Sequence, residues 1–78
     1  MKRIEVLGAG CRNCEITHNV IREAARQAGV EVQLEKVTDL ARIVSYGILQ
    51  TPGVAIDGKV VHSGGIPGPD TVRGWLTD

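Results

Sequence analysis

Aromatic side chains are nearly missing from this chain: its 78 residues hold no phenylalanine, one tryptophan and one tyrosine. Trp75, spaced with Val72 and Leu76, and Tyr46 read as core packing, which leaves no stacking platform for nucleic-acid bases. Net charge is missing too. Nine basic and nine acidic side chains cancel and are scattered along the chain, so neither nucleic acid nor an anionic membrane finds an electrostatic footprint. No apolar run is long enough to span a bilayer, and Glu5 and the early glycines interrupt any apolar signal region after Met1-Lys2-Arg3. These absences predict a cytoplasmic protein with no nucleic-acid partner and no membrane partner. Cysteine is sparse as well, with only Cys11 and Cys14. A reducing cytoplasm keeps ordinary thiols reduced, so a close pair there points to catalysis or metal binding rather than to a permanent bridge.

What the chain does have is a hydrophobic share of 42%, ordinary for a globular protein and too high for disorder. At this length it reads as a single domain over residues 1–78, burying about two thirds of the surface its unfolded form exposes. The stretch that organises it is Gly8-Ala9-Gly10-Cys11-Arg12-Asn13-Cys14, where an apolar run gives way to a helical pattern. Two thiols three positions apart fit one helical turn, so their sulfurs can meet with little backbone movement. A loop that short would stabilise a fold by only roughly 2 kcal/mol, little motive for a structural staple.

Along the chain, Lys2 to Leu7 alternates as a strand, with Ile4 and Val6 on one face and Arg3, Glu5 and Leu7 on the other. A helix is predicted from about Cys11 to Ala28, with Ile16, Val20, Ile21, Ala24 and Ala28 as its apolar stripe and Gly29 as its stop. Val30, Val32 and Leu34 alternate with Glu31, Gln33 and Glu35 in a second strand that ends near Val37. A second helix is expected from about Asp39 to Leu49, capped by Thr38, with Leu40, Ile43, Val44 and Ile48 inward. Val54-Ala55-Ile56 and Lys59-Val60-Val61-His62 flank Asp57-Gly58, a hairpin signal. Gly68-Pro69-Asp70 then opens a last helix carrying Val72, Trp75 and Leu76. The order β-α-β-α-β-β-α predicts an α/β fold with a four-stranded mixed sheet flanked by helices. No repeat, linker or low-complexity segment interrupts it.

A Cys-x-x-Cys between the first strand and first helix, with Thr51-Pro52 just before a hairpin, resembles the minimal thioredoxin/glutaredoxin fold over the whole chain. Closest in pattern are the very small thioredoxin-like proteins called redox-active disulfide proteins, which share Gly-x-Gly-Cys-x-x-Cys and Thr-Pro-Gly-Val. The resemblance implies a thiol-disulfide oxidoreductase that exchanges two electrons with a protein disulfide and is recharged by an upstream thiol reductase. It implies no cofactor beyond the redox-active Cys11–Cys14 disulfide. Cys11 matches the attacking thiol and Cys14 the resolving one. A thiolate at a helix N-terminus can have its pKa lowered from about 8.5 into roughly the 3.5–7.5 range, which suits that role. Pro52 matches the family's cis-proline, which places Thr51 main-chain groups beside an extended substrate; Gly64-Gly65 resembles the glycine pair ahead of the last glutaredoxin helix. Arg12 stands where it can tune the thiolate by charge. The chain departs from the thioredoxin pattern by Gly10 before the first cysteine and Arg12-Asn13 between the two. No residue matches the buried acid that assists proton transfer, Glu5 being a poor candidate.

The same thiols also support a different reading. Gly-x-Gly-Cys-x-x-Cys opening a helix is similar to the Gly-Met-Thr-Cys-x-x-Cys loop of small copper-chaperone domains, where two thiolates hold a soft ion. His18, one turn after Cys14, would add a third ligand to Cys11 and Cys14 in an incomplete zinc set. The methionine and threonine of that loop are absent, and the order of elements favours thioredoxin. His62, near the glycine pair, reads as a surface residue rather than a thiolate-tuning one.

Overall fold

A computed structural model describes residues 2–9, 12–48 and 50–77. Its elements follow the expected order: β1 (Lys2–Leu7), α1 (Arg12–Ala28), β2 (Val32–Val37), α2 (Leu40–Ser45), β3 (Gly53–Ile56), β4 (Lys59–Ser63) and α3 (Pro69–Thr77). The four strands form one mixed sheet in the order β2-β1-β3-β4. β1 runs parallel to β2 and antiparallel to β3, and β3 pairs antiparallel with β4.

Period-two alternation along β1 supplies both cores, because each face of the central strand is covered by helix. Ile4 and Val6 meet Ile21 and Ala25 of α1 and Val72 and Leu76 of α3 on one face. Leu7 meets Val37, Ile43, Ile48 and Ala55 on the other, under α2. Trp75 packs against the first cluster, as the sequence predicts. Lys2 reaches from β1 to hydrogen-bond the Trp75 carbonyl, supplying a cation to the last turn of α3, which has no basic residue of its own.

Turn chemistry fixes the connections. Asp57 and Gly58 both have positive φ (51° and 84°), as a two-residue type I′ hairpin requires, and Asp57 also accepts from the Arg3 N–H at 3.0 Å. Gly29 ends α1 in the left-handed region at φ 68°.

Four local expectations are corrected. The inward stripe of α1 is Cys14, Thr17, Ile21 and Ala25, displaced from the one predicted, and Ile16 is exposed. Thr17 can enter the core because its Oγ1 donates to the Asn13 carbonyl at 2.7 Å, which replaces the hydrogen bond to water lost on burial. α2 is shorter than predicted, ending at Ser45, because Gly47 takes φ 75° and turns the chain away. Asp39, not Thr38, is its N-cap, accepting from the Ala41 N–H at 3.0 Å. Leu40 and Val44, placed inward by periodicity, are 67% and 70% exposed, since so short a helix presents only Ile43 to the sheet.

Among the described residues one acidic side chain lies in the interior. The Glu5 side chain, 3% exposed, projects to the α2 face, where the Tyr46 hydroxyl donates to one carboxylate oxygen at 2.5 Å and the Arg42 guanidinium to the other. Tyr46 therefore packs as expected but also holds a charge. Its hydrogen bond to Glu5, with burial and the Glu5 charge adding to it, holds the phenol above its ordinary pKa of 10.0. The folded chain thus keeps this proton after the unfolded chain has lost it, so this contribution to stability is present below pH 10 and is lost as pH rises through the folded value. Tyr46 is the only tyrosine, so phenolate absorbance reads it directly. The expected result is a midpoint above 10 in the folded protein, returning toward 10 in Glu5→Gln.

Candidate functional site

β1 ends at Leu7, and Gly8, itself buried, follows with its N–H donating to the Val37 carbonyl at 3.0 Å. The chain then turns into α1, whose first turn carries Cys14 inward. Cys14 is 7% exposed and belongs to the core cluster of Ile4, Val6 and Ile21. Cys11, expected as its partner, lies outside the described residues, as does Gly10.

Gly8 is the contact point between the cysteine and the loop before β3. A methyl group on Gly8 would overlap the Cys14 sulfur and stand 3.4 Å from Thr51 Cβ, so the absence of a side chain lets sulfur and loop close over the same spot. Gly8→Ala is therefore expected to cost about 1–3 kcal/mol through overpacking against a buried sulfur that has no long arm to move. A lowered midpoint of denaturant unfolding with an unchanged slope would show it.

The Thr51–Pro52 peptide bond is cis, as the resemblance implied. Pro52 is buried and Thr51 exposed. The Pro52 carbonyl accepts from the Gly64 N–H at 2.9 Å, which joins the loop to the glycine pair. That junction depends on a bulge in β4. Val54 pairs with His62 and Ala55 with Val60, so Val61 is an extra residue, Ser63 comes opposite Gly53, and Gly64 arrives level with Pro52. Gly64 and Gly65 have φ 78° and 73°, positions that disfavour any side chain. His62, carried to the α3 face by the same bulge, donates through Nε2 to the Gly65 carbonyl at 3.0 Å, with its ring 6.0 Å from that of Trp75. It thus holds the glycine turn, a role sequence did not suggest.

Four of the expected site residues, Cys14, Thr51, Pro52 and Gly64, are thereby linked through Gly8 and one hydrogen bond, and Gly65 directly follows. Gln50, which the sequence reading did not single out, borders this junction. Its amide oxygen lies where a Gly64 side chain would start, 2.5 Å from an ideal Cβ there, and the signal was only its place next to Thr51.

On the other side of Cys14 opens a cleft of about 390 Å³, with Val6, Gly8 and Cys14 as its buried floor and Arg12, Glu15, Lys36 and Thr38 as its exposed rim. Lys36 bonds both Glu15 oxygens at 2.8 Å, and this hydrogen bond with its charge holds the Glu15 carboxyl below the usual range. The rim therefore offers the cysteine end of the cleft two cations and one carboxylate. Glu5 takes no part here, since it faces α2 across the sheet. His18, half-buried on α1, has its pKa lowered first by burial and then by the charge of Lys36. Among the described residues no group of three or more histidine, cysteine, aspartate or glutamate side chains converges as a metal site. Nor, among them, is any helix long and apolar enough to cross a membrane.

Comparison with known proteins agrees with this architecture. The model of the thioredoxin domain family matches residues 2–77. A protein named thioredoxin from Methanothermobacter thermautotrophicus is 29% identical over 77 residues, covering 99% of this chain and 100% of that protein. One of the same name from Methanocaldococcus jannaschii is 33% identical over 70 residues, 90% of this chain and 80% of its own. A probable thioredoxin from Methanothermobacter marburgensis is 30% identical over 71 residues, 87% of this chain and 82% of its own. Matched by the family model over residues 2–77 and by a 33% identical relative over 90% of its length, the chain belongs to the thioredoxin domain family.

Proposed function

We propose that this protein is a thiol-disulfide oxidoreductase that exchanges two electrons between Cys11 and Cys14 and the disulfide of a partner protein. The observation that carries the reading is the convergence of Cys14 with Gly8 and Thr51 at the start of α1, in a chain of the thioredoxin domain family. Cys11 attacks a substrate sulfur as thiolate, forming a mixed disulfide and expelling the first substrate thiolate. Cys14 then attacks the Cys11 sulfur, closing the Cys11–Cys14 bond and releasing the second thiolate. Both electrons come from the two protein thiols, so the step needs no cofactor, and an upstream thiol reductase restores the dithiol. Thr51, Pro52, Gly64 and Gly65 form the ledge on which the substrate lies, and Arg12 biases the adjacent sulfur toward thiolate. A reducing, cytoplasmic setting suits a resting dithiol.

The test is an anaerobic titration of the metal-free protein in dithiothreitol redox buffers, acid-quenched and read by intact mass and peptide mapping. A reversible Cys11–Cys14 disulfide with one two-electron midpoint is expected. Absence of that bond across the accessible range, with tight soft-metal binding in its place, would overturn the reading in favour of a metal site.

A further inference from the structure

We propose that Gln50 is a substrate-positioning residue, selecting disulfides carried on an extended peptide over small-molecule disulfides; the proposal rests on the oxidoreductase reading above. Gln50 is exposed, yet its side chain does not hang free in solvent. It rests on Gly64, where an added Cβ would meet its Oε1 at 2.5 Å and its own Cβ at 3.4 Å. Gly64 is in turn tied to the loop by its hydrogen bond to the Pro52 carbonyl. The amide is thus lodged at the seam between the Thr51–Pro52 segment and the glycine turn, one residue from the Thr51 side chain that shares the Gly8 contact with Cys14.

Chemistry and placement fit a peptide main chain. A primary amide carries two donors and an acceptor, so it can meet both the N–H and the C=O of an extended strand, whatever that strand's side chains. Gln50 is exposed and none of the hydrogen bonds among the described residues engages its amide, so these groups are open to a ligand. Thr51, Gly64 and Gly65 beside it carry no charge, so nothing in this ledge selects one sign of substrate. Packing on Gly64 also restricts the side chain in advance, which reduces the entropy lost when it grips a ligand. A small disulfide without a peptide main chain has no adjacent N–H and C=O for this amide to pair with.

The proposal is tested by stopped-flow reduction of two substrates by pre-reduced protein, wild type and Gln50→Ala, under anaerobic conditions. One substrate is a disulfide-bonded linear peptide, and the other is 5,5′-dithiobis(2-nitrobenzoate). Loss of one net hydrogen bond predicts a second-order rate constant about three- to tenfold lower for the peptide and unchanged for the small disulfide. An equal fall for both, or no fall for the peptide, overturns it. A wild-type protein that reduces neither substrate defeats the oxidoreductase reading first, and the role of Gln50 with it. Because Gln50 is exposed, thermal unfolding of the variant should match wild type, and Gln50→Asn, which keeps the amide, should recover part of the peptide rate.

Discussion

Cys11→Ser is expected to reduce disulfide exchange to the uncatalysed background, whereas Cys14→Ser should retain one attack per molecule and accumulate a mixed disulfide with the substrate. The difference follows from the burial of Cys14. Cys14 sits 7% exposed among Ile4, Val6 and Ile21, on the floor of the cleft beside Gly8, so it is too recessed for a disulfide borne on a protein surface to reach readily. In the proposed mechanism the first attack therefore belongs to Cys11 and the intramolecular step to Cys14, for which burial is no obstacle. Serine is no substitute at either position, because the reactive species is the thiolate and a hydroxyl stays protonated at neutral pH. Intact mass after mixing with a disulfide-bonded peptide separates the two variants: one peptide half attached to Cys14→Ser, none attached to Cys11→Ser. Alkylation offers an independent readout, with one thiol modified fast and one slowly in the native reduced protein, and both at the same rate in denaturant. If Cys11→Ser kept turning over, or if Cys14 were the faster thiol, the roles would be exchanged.

The parts of this architecture set by short-range chemistry were legible in the chain. Alternation in β1, the Asp57-Gly58 turn, the Gly29 stop and the Pro69 start each depend on a few adjacent residues, and each occurs where its signal lies. The misread parts depend on residues far away. Ile16 and Thr17 compete for the same helical face, and the hydroxyl enters the core because one backbone carbonyl satisfies it. The bulge at Val61 leaves no mark in a run such as Lys59-Val60-Val61-His62, because the pattern of apolar residues does not say which of two valines goes unpaired. Yet that one unpaired residue brings Gly64 to Pro52 and Gln50 to Gly64. The cysteine pair and Thr51-Pro52 were visible as motifs, while Gly8, which joins Cys14 to Thr51, and the β4 bulge, which brings Gly64 to Pro52, needed three dimensions.

Glu5 is the clearest case of distance hiding a role, since its partners Arg42 and Tyr46 lie 37 and 41 residues away. Its arrangement predicts an asymmetric response to mutation. In Arg42→Ala/Tyr46→Phe both partners are removed and the carboxylate stays buried, which should cost about 3–5 kcal/mol, as for other buried pairs broken from one side. For a domain of this size that lowers the unfolding midpoint by roughly 12–40 °C. Glu5→Met should cost less than about 2 kcal/mol, because it removes the desolvated charge itself and fills the space with a chain of similar length. The Arg42 side chain, 43% exposed, can then turn to water. The triple variant should recover most of the loss in Arg42→Ala/Tyr46→Phe, a non-additivity readable from denaturant midpoints. The site should register the same change. Glu5 stands on the strand that leads to Gly8, and Arg42 and Tyr46 stand on the segment that leads through Gly47 to Thr51, so the cluster clamps the two chain segments that meet over Cys14. Weakening it should speed alkylation of Cys14 in the native state while leaving the rate at Cys11 unchanged. If Arg42→Ala/Tyr46→Phe proves no more costly than Glu5→Met, the carboxylate is being satisfied by water, and the clamp does not exist.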